Sequence, residues 1–412
     1  MGNWLFVLYN FSYICRILPN TTNLVMKVLA ICVGNAGAIF SIYERIIDGL
    51  AEYADVDVLT SNLDIKLSER VGKVYKVPYS RLMRKIYRRT LLYFEAVPTC
   101  EHWAKCALKQ IDRDYDIVFA ITSSVPLTPI VAGRCIAQKL GSKFAIYSVD
   151  AIPGPGGWTK PRRYRSELKI VKRCFSAADY VSSSNGHMLK FQLTTFAPKP
   201  GLITNVHYTP SSSRSYECPA STEDVLLYTG AIYGLRNPEY MLDAFRRLLT
   251  VRPNAQLVLL GTRLKHCYER YLHKTFNQEE IGHVHILPST SDLEPYYRRA
   301  KVLIDMDGDR EEDPFMSSKV IVYLNVNRVI LTETGSNTPS RELFADMQTV
   351  VQASHNADSV FEGMTRALEL AEQDLDYSER QPLIEKFSSQ HVCLSLWGDF
   401  QRLCSIKEED IS

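Results

Sequence analysis

The fold of this 412-residue chain is decided by residues 225–238, which run Val225-Leu226-Leu227-Tyr228-Thr229-Gly230-Ala231-Ile232-Tyr233-Gly234-Leu235-Arg236-Asn237-Pro238. The apolar residues at the start of this stretch predict a buried strand, and Gly230 begins a tight turn. A helix over residues 239–249 follows, and Pro238 suits its start because its missing N–H would have no partner there. A strand, a glycine turn and a helix N-terminus together favour anion binding, since free backbone donors and the positive end of the helix dipole converge.

The chain opens with a similar unit. Residues 27–33 predict a buried strand, and it is followed by Gly34-Asn35-Ala36-Gly37, a helix over residues 39–53 and a second strand over residues 55–60. The glycines match the dinucleotide fingerprint only loosely, because the third glycine is absent and no acidic residue ends the second strand. We therefore expect no bound NAD. The turn either faces a phosphate or only packs the helix against the strand.

Strand and helix patterns alternate along the rest of the chain. The further predicted strands cover residues 116–121, 143–148 and 180–182 in the first half, and 255–260, 283–287, 302–305, 329–331 and 349–352 in the second. This alternation predicts two Rossmann-like, doubly wound parallel-sheet domains, with ligands at the carboxyl ends of the strands. Two such domains that face each other place the functional cleft between them.

The domain boundaries follow from these patterns. We assign residues 26–205 to the first domain and residues 206–388 to the second. Residues 389–412 predict a final helix and tail, and the helix is expected to cross back onto the first domain.

Residues 1–25 stand apart from both domains. Residues 4–18 form an apolar run of about fifteen residues, which is short for a membrane span and lacks the basic flank and cleavage site of a signal peptide. Either translation begins at Met26, or the extension is a poorly ordered or interfacial N-terminus.

Composition fits a cytoplasmic protein with two domains. Hydrophobic residues make up 46% of the chain, enough for two full cores. The ten cysteines are scattered, with no CxxC pair. This pattern predicts buried thiols and argues against a disulfide framework or a zinc site.

Charge divides the chain in two. The net charge is +2 in total, but it is +11 over residues 26–200 and −10 over residues 201–412. This asymmetry predicts an anionic partner for the first half. Nucleic acid is disfavoured as that partner, because aromatic residues are not interleaved with the basic ones and the second half is acidic.

One basic cluster has the pattern of a membrane-surface helix. On a helix, Arg81, Arg84, Lys85 and Arg88 share one face, with Arg89 beside them. At about 1 kcal/mol per basic residue near an anionic leaflet, such a helix would bind reversibly without inserting. The alternative is a solvated helix face. The first interpretation places the protein on the inner face of the cell membrane as a peripheral protein.

Several segments carry a resemblance to a known family. They are residues 27–37, Tyr147-Ser148-Val149-Asp150 with Pro153, Asn205, residues 228–245, Phe315-Met316-Ser317-Ser318-Lys319-Val320-Ile321-Val322-Tyr323-Leu324 and Arg328-Val329-Ile330-Leu331. From Met26 onward the chain resembles the group 1, or family 4, glycosyltransferases of the GT-B fold. The last two segments are the most specific.

This resemblance implies an enzyme activity. It implies a retaining, metal-independent transferase that passes a sugar from a nucleotide-diphosphate donor in the second domain to an acceptor in the first, with no further cofactor. The expected acceptor is lipid-linked or a polysaccharide precursor, as in cell-surface glycan biosynthesis.

The resemblance also implies roles for residues of the second domain. Arg236 and Lys319 would stabilise the negative charge that develops on the leaving diphosphate. Ser317 or Ser318 would cap the helix that Lys319 begins, and the glycine turns at Gly37 and Gly230 would face the donor. The alternatives are a surface position for Lys319, and for Arg236 a salt bridge with Glu239 or Asp243.

Three positions depart from the family pattern. Ala231 replaces a second basic residue, Val322 replaces the acidic residue expected to hold the ribose, and Val149 replaces a histidine near the reacting sugar. Asp150 is then the nearest polar group that could orient a hydroxyl or accept a proton, although aspartate is also a common turn residue. These departures leave open a catalytically impaired sugar-nucleotide-binding or scaffold protein. A nucleotide-sugar epimerase fits less well, because its carboxylate and histidine set is not apparent.

Two loops complete the expected site. Residues 305–313 are rich in carboxylates but fail as a calcium loop, whose sixth and twelfth positions would be Arg310 and Met316. We expect Glu311, Glu312 or Asp313 to bind donor-sugar hydroxyls, unless the loop is simply exposed.

The second loop, residues 152–158, is rich in glycine and proline and follows Asp150. Its Trp158 would form a wall for the acceptor sugar or enter the domain interface beside Arg162 and Arg163. A simple structured turn fits the sequence equally well.

Overall fold

A computed structural model describes residues 25–34, 38–78, 82, 85, 97–123, 126–196, 199–211, 214–262, 264 and 266–405. The predictions for Gly37, for the N-terminal extension before residue 25, and for Arg81, Arg84, Arg88 and Arg89 lie outside the described residues. Lys85 is helical and exposed. Within the described part of the chain, no helix is both long and apolar enough to cross a membrane.

The first domain is built on a seven-stranded parallel sheet in the order β3-β2-β1-β4-β5-β6-β7. Its strands are β1 (Lys27–Cys32), β2 (Asp55–Thr60), β3 (Val74–Lys76), β4 (Ile117–Thr122), β5 (Lys143–Ser148), β6 (Tyr180–Ser183) and β7 (Ile203–Val206). Its helices are α1 (Ala38–Leu50), α2 (Val97–Leu108), α3 (Thr128–Leu140), α4 (Pro161–Phe175) and α5 (Gly186–Thr195). The sequence did not predict β3 and β7, because these edge strands are short and only partly buried.

The second domain is built on a six-stranded parallel sheet in the order β10-β9-β8-β11-β12-β13. Its strands are β8 (Val225–Thr229), β9 (Gln256–Leu260), β10 (Val284–Leu287), β11 (Val302–Met306), β12 (Val329–Glu333) and β13 (Val350–Ala353). The helices are α6 (Glu239–Val251), α7 (His266–Thr275), α8 (Gln278–Ile281), α9 (Glu294–Arg299), α10 (Ser318–Tyr323), α11 (Pro339–Leu343) and α12 (Ala357–Leu370). A 3₁₀ turn (Tyr377–Arg380), α13 (Gln381–Lys386) and α14 (Ser389–Ser405) complete the described chain.

The predicted fold class of two doubly wound parallel-sheet domains is confirmed. The central strands are apolar on both faces and fully buried, as β4 and β8 illustrate, which is expected when helices cover both sides of a parallel sheet. In each sheet the strand order reverses beside the first strand, between β1 and β4 and between β8 and β11. Ligands of open α/β sheets bind at such switch points.

Helix α14 crosses back onto the first domain, as predicted. Leu396, Phe400 and Leu403 are buried in the same apolar cluster as α1 and the first sheet. The ring of Phe400 lies 5.1 Å from that of Phe119 on β4, in an edge-to-face arrangement. This apolar contact joins the end of the chain to the first domain.

A buried carboxylate on α14 adds a polar anchor. Asp399 accepts hydrogen bonds from Tyr180 Oη at 2.7 Å and Asn205 Nδ2 at 2.9 Å, and its Oδ2 lies 2.8 Å from His207 Nε2. Burial disfavours the charge, but these donors hold the pKa of Asp399 below its ordinary value. Helix α14 is therefore fixed in register on the first domain.

The cysteines are more exposed than the sequence predicted. None of the nine described cysteines forms a disulfide, and Cys267 and Cys404 are exposed. Both lie on helices, where the sequence pattern did not separate the buried from the exposed face.

Candidate functional site

A cavity of about 510 Å³ lies between the two domains. Val149 and Asp150, at the carboxyl end of β5, contribute to it from the first domain. The turn after β8 and the start of α10 line the opposite side. The sequence-predicted residues Asp150, Gly230, Arg236, Ser317, Ser318 and Lys319 all line this cavity, together with Trp158.

The turn after β8 requires glycine. Gly230 has a φ of +101°, which L side chains rarely adopt, and a Cβ there would lie 3.4 Å from Lys319 Cδ. Its N–H donates to Leu260 O at 2.7 Å, and its carbonyl accepts from Thr262 Oγ1 at 2.7 Å. The backbone of this turn is therefore held rigidly beside the lysine.

Arg236 is almost completely buried, with 8% of its surface exposed. Its Nε donates to Met306 O at 2.8 Å, and its guanidinium lies 4.8 Å from the centre of the Tyr233 ring. No ion pair among the described residues joins it to Glu239 or Asp243. The protein thus holds this cation at the cavity wall with a carbonyl and an aromatic face.

Lys319 is a largely buried cation, with 16% of its side chain exposed. Its Nζ lies 3.5 Å from Asp305 Oδ1 and 5.1 Å from the centre of the Tyr228 ring. Burial lowers the pKa of Lys319 to about 8, although the charge of Asp305 opposes this shift. The lysine is therefore not a surface residue, and its charge responds to pH near neutrality.

Ser317 is the N-cap of α10. Its side chain accepts from the backbone N–H of Lys319, at 3.4 Å, and so fixes the start of the helix. The next turn of this short helix carries Tyr323, whose hydroxyl lies 2.8 Å from Thr229 Oγ1 at the end of β8. These bonds tie the start of α10 to the glycine turn.

Two buried aspartates lie beneath the cations. Asp305 is 1% exposed, and neither of its carboxylate oxygens has a hydrogen-bond partner among the described residues, so that its charge is balanced by Lys319. Asp307 accepts from Thr334 Oγ1 at 3.0 Å, and burial together with the charge of Asp305 raises its pKa to about 7.

The sequence analysis placed Asp305 at the end of the predicted strand 302–305 and at the start of the acidic loop 305–313, and it missed this role of the two aspartates. Asp305 lies on β11, as that strand predicted, and the signal of its role was a single carboxylate within an apolar strand.

The predicted sugar-binding carboxylates take different positions. Glu311 and Glu312 are exposed and bind Ser336 and Asn337, and neither lines the cavity. Asp313 is buried and accepts from Trp158 Nε1 at 2.8 Å, and burial raises its pKa. Within the part of the chain that the structure describes, no three His, Cys, Asp or Glu side chains form a group able to hold a metal ion.

The first domain contributes a mostly apolar wall. Ile39 and Ile42 of α1 line the cavity with Val149, and Asp150 is half-buried beside them. Arg163, on α4, also lines the cavity, and its Nε donates to Glu167 Oε1 at 2.5 Å. The sequence analysis considered Arg163 only as a neighbour of Trp158. Its position in the cavity depends on the fold, which brings α4 to the cleft.

Comparison with solved structures identifies the fold. HepE from Anabaena in complex with UDP-glucose matches with a TM-score of 0.64 and 11% identity, over 92% of this chain and 100% of that chain. A glycosyltransferase from Rickettsia africae matches with a TM-score of 0.63 and 12% identity, over 93% of this chain and 100% of that one. The pneumococcal O-GlcNAc transferase GtfA in complex with UDP and GlcNAc matches with a TM-score of 0.63 and 8% identity, also over 93% and 100%.

Sequence comparison adds no family. No family model matches this chain, and no curated protein matches it. The likeness therefore rests on three-dimensional structure, over nearly the whole length of the compared chains. The protein has the GT-B fold of these glycosyltransferases.

Proposed function

We propose that the protein is a glycosyltransferase that uses a nucleotide-diphosphate sugar as donor. The observation that carries this proposal is a pair of cations, the buried Arg236 and the largely buried Lys319, that line the interdomain cavity beside the Gly230 turn. A diphosphate is the part of such a donor that two fixed cations and a backbone turn would bind. HepE, which has the same fold, is in complex with UDP-glucose, and this supports the same class of ligand here.

The cations would also act in the chemical step. Breaking the bond between the sugar and the diphosphate leaves negative charge on the leaving group, and preorganised cations in a cavity shielded from water stabilise that charge strongly. Asp305 keeps Lys319 in place and partly offsets the effect of burial on its protonation. In this scheme the reaction needs no metal ion, because the protein's own cations supply the positive charge.

Asp150 is our candidate for the acceptor side. It lies at the carboxyl end of β5 and lines the cavity opposite the cations. A carboxylate in that position can orient the attacking hydroxyl or accept its proton. From the family resemblance we also propose that the sugar keeps its anomeric configuration during transfer. The anomeric configuration of the product tests this part of the proposal.

We further propose a lipid-linked or polysaccharide acceptor at the cytoplasmic face of the membrane. The excess of basic residues over residues 26–200 supports an anionic surface or acceptor for the first domain. Lys85, from the proposed membrane-surface helix, is exposed.

A ligand panel tests the donor class. UDP-, GDP-, ADP- and CMP-sugars are added one at a time, and the melting temperature and the release of nucleotide are measured. A bound ligand at a hundredfold its dissociation constant adds about 2.7 kcal/mol of stability. Stabilisation by a nucleotide-diphosphate sugar, with turnover, is expected. Binding without hydrolysis or transfer would favour the scaffold protein, and stabilisation by none of these sugars would contradict the donor site.

A further inference from the structure

Trp158 belongs to the first domain, but its indole lies among residues of the second. Its Nε1 donates to Asp313 Oδ2 at 2.8 Å. Its ring packs edge-to-face against Phe315 and Tyr233, with ring centres 5.1 and 6.3 Å apart. Trp158 therefore lies at the domain interface, and it also lines the cavity of the candidate site.

Glycines of the second domain make room for the indole. A Cβ at Gly234 would lie 2.4 Å from Trp158 Cζ3, and a Cβ at Gly308 would lie 2.6 Å from Trp158 Cζ2. Both distances are far shorter than non-bonded carbons allow, so any side chain at either position would displace the ring. We call the space lined by Gly234, Gly308, Asp313 and Phe315 the indole slot.

Other contacts between the domains surround the slot. The guanidinium of Arg310 donates to Gly156 O, on the loop that carries Trp158. Asn185 Nδ2 donates to Pro314 O at 2.9 Å, and His187 Nε2 lies 3.0 Å from Glu342 Oε2. The loop over residues 152–159 is thus held against the second domain at several points.

Trp158 also stands between two cavities. Trp158 and Phe315 line the cavity of the candidate site, whereas their sequence neighbours Pro155, Asp313 and Pro314 line a second cavity of about 460 Å³. The second cavity is more open to solvent, with exposed Lys190, Glu312 and Glu342 at its walls. The indole and its hydrogen bond to Asp313 therefore lie as a partition between the cavity of the candidate site and this more open cavity.

We propose that Trp158 determines whether the donor sugar is transferred or hydrolysed, a role that rests on the proposed glycosyltransferase function. In transfer, an acceptor hydroxyl forms the new bond at the anomeric carbon, the bond to the diphosphate breaks, and the hydroxyl proton leaves to a base. In hydrolysis, water replaces the acceptor and the products are free sugar and nucleoside diphosphate. The partition keeps water of the second cavity away from the anomeric carbon.

The first test removes the partition. Trp158→Ala joins the two cavities, and we expect transfer to fall by about 10²-fold, the loss that a misplacement of about 1 Å can cause. Hydrolysis should become the main fate of the donor, measured as free sugar per nucleoside diphosphate released. Trp158→Phe refills most of the slot without the hydrogen bond to Asp313, and it should restore much of the transfer.

Two glycine variants separate this role from a general loss of structure. Gly308→Ala would place a Cβ 2.6 Å from Trp158 Cζ2 and 2.7 Å from Asp313 Oδ2, so it should displace both partners of the hydrogen bond and mimic Trp158→Ala. Gly156→Ala lies on the same loop, where a Cβ meets no atom within 4 Å, and it should behave like the parent. Circular dichroism and melting temperature check that each variant is folded.

The outcomes are distinct. Unchanged ratios of transfer to hydrolysis in both Trp158→Ala and Gly308→Ala would overturn the role of Trp158 while leaving the glycosyltransferase intact. A parent protein that turns over no nucleotide sugar would overturn the proposed function, and this role with it, whatever the variants do. Loss of transfer without a rise in the hydrolysed share would also overturn it, because a purely structural residue behaves in that way.

Discussion

The two domains share one topology but line the cleft with different chemistry. Each sheet reverses its strand order beside its first strand, and a glycine turn and a helix follow that strand in the sequence. The first domain contributes the apolar Ile39, Ile42 and Val149 together with Asp150 and with Arg163, which is paired with Glu167. The second domain contributes Arg236 and Lys319. A repeated fold therefore does not repeat a binding site, and the diphosphate is expected on one side only.

Net charge alone would have misplaced that site. Residues 26–200 carry +11 and residues 201–412 carry −10, yet Arg236 and Lys319, the two cations beside the Gly230 turn, belong to the acidic half. Burial and local partners, such as Asp305 beside Lys319, decide where an anion binds. The basic excess over residues 26–200 remains the ground for the prediction of a second anionic partner.

The largest effect is expected on the first-domain side. Asp150→Asn should lower turnover by about 10²- to 10⁴-fold, the usual contribution of a general acid or base, with donor affinity almost unchanged. Steady-state kinetics with calorimetric measurement of donor affinity checks this. If turnover stays the same and only the Michaelis constant rises, Asp150 is a binding residue, and the first-domain wall is passive in the chemical step.

On the second-domain side, the cations should act on binding. Arg236→Ala and Lys319→Met should each weaken nucleoside diphosphate binding about tenfold or more, because a charge-assisted phosphate contact contributes about 1.5 to 3 kcal/mol. Binding of the nucleoside alone should be unaffected. Arg246→Ala removes an exposed arginine of α6 and serves as the matched control. Equal affinities of parent and variants for the diphosphate, measured by calorimetry, would remove the assignment.

The fold was largely predictable, because buried parallel strands give short apolar runs that alternate with amphipathic helices. The predicted strands at residues 143–148 and 302–305 agree with β5 and with β11 to within a residue. The edge strands β3 and β7 lack such runs. Helix α4 begins at Pro161 with a basic first turn that carries no apolar periodicity, so the sequence pattern does not fix its start.

The site was predictable only in part. Arg236 and Lys319 follow recognisable local patterns, and both line the cavity. The bond between Trp158 and Asp313 joins residues 155 positions apart, and Asp305 meets Lys319 only when β11 and α10 are folded. Such contacts depend on tertiary structure, and no local spacing in the sequence encodes them.

The pH dependence of nucleoside diphosphate binding should test whether the second domain, and not the first, binds the diphosphate. As the pH rises from about 7 to about 9, the fraction of Lys319 that is protonated falls about tenfold if its pKa is about 8. Asp307, whose pKa is about 7, gains its negative charge as the pH rises through that value. Both changes oppose an anion, so nucleoside diphosphate affinity should fall with rising pH.

Two variants separate the contributions to this pH profile. Lys319→Met should remove the fall above pH 8, and Asp307→Asn should remove the part near pH 7, both measured by calorimetry at constant ionic strength. A profile that is flat in the parent, or that rises with pH, would show that neither group faces the ligand.

The smallest effect on stability is expected from the basic surface. If Arg81, Arg84, Lys85, Arg88 and Arg89 form the proposed membrane-facing side of a helix, their change to Gln should leave the melting temperature almost unchanged, because exposed charges contribute little. The same change should abolish binding to anionic vesicles. Parent binding should weaken with salt, since screening shortens from about 30 Å at 0.01 M to about 10 Å at 0.1 M.

A control for this membrane experiment lies on α4 and just before it. Lys160, Arg162 and Arg165 are exposed, and their change to Gln should leave vesicle binding close to that of the parent. If the quintuple variant sediments with anionic vesicles as well as the parent does, the basic segment is only a solvated face, and a soluble acceptor becomes the better proposal.

The most direct test of the asymmetry between the domains is a crystal structure with the nucleoside diphosphate that stabilises the protein most. We predict that the diphosphate lies in the interdomain cavity, against the Gly230 turn and within hydrogen-bond distance of Arg236 and Lys319. A diphosphate bound instead at the turn after β1, or outside the cleft, would contradict the assignment of the donor to the second domain.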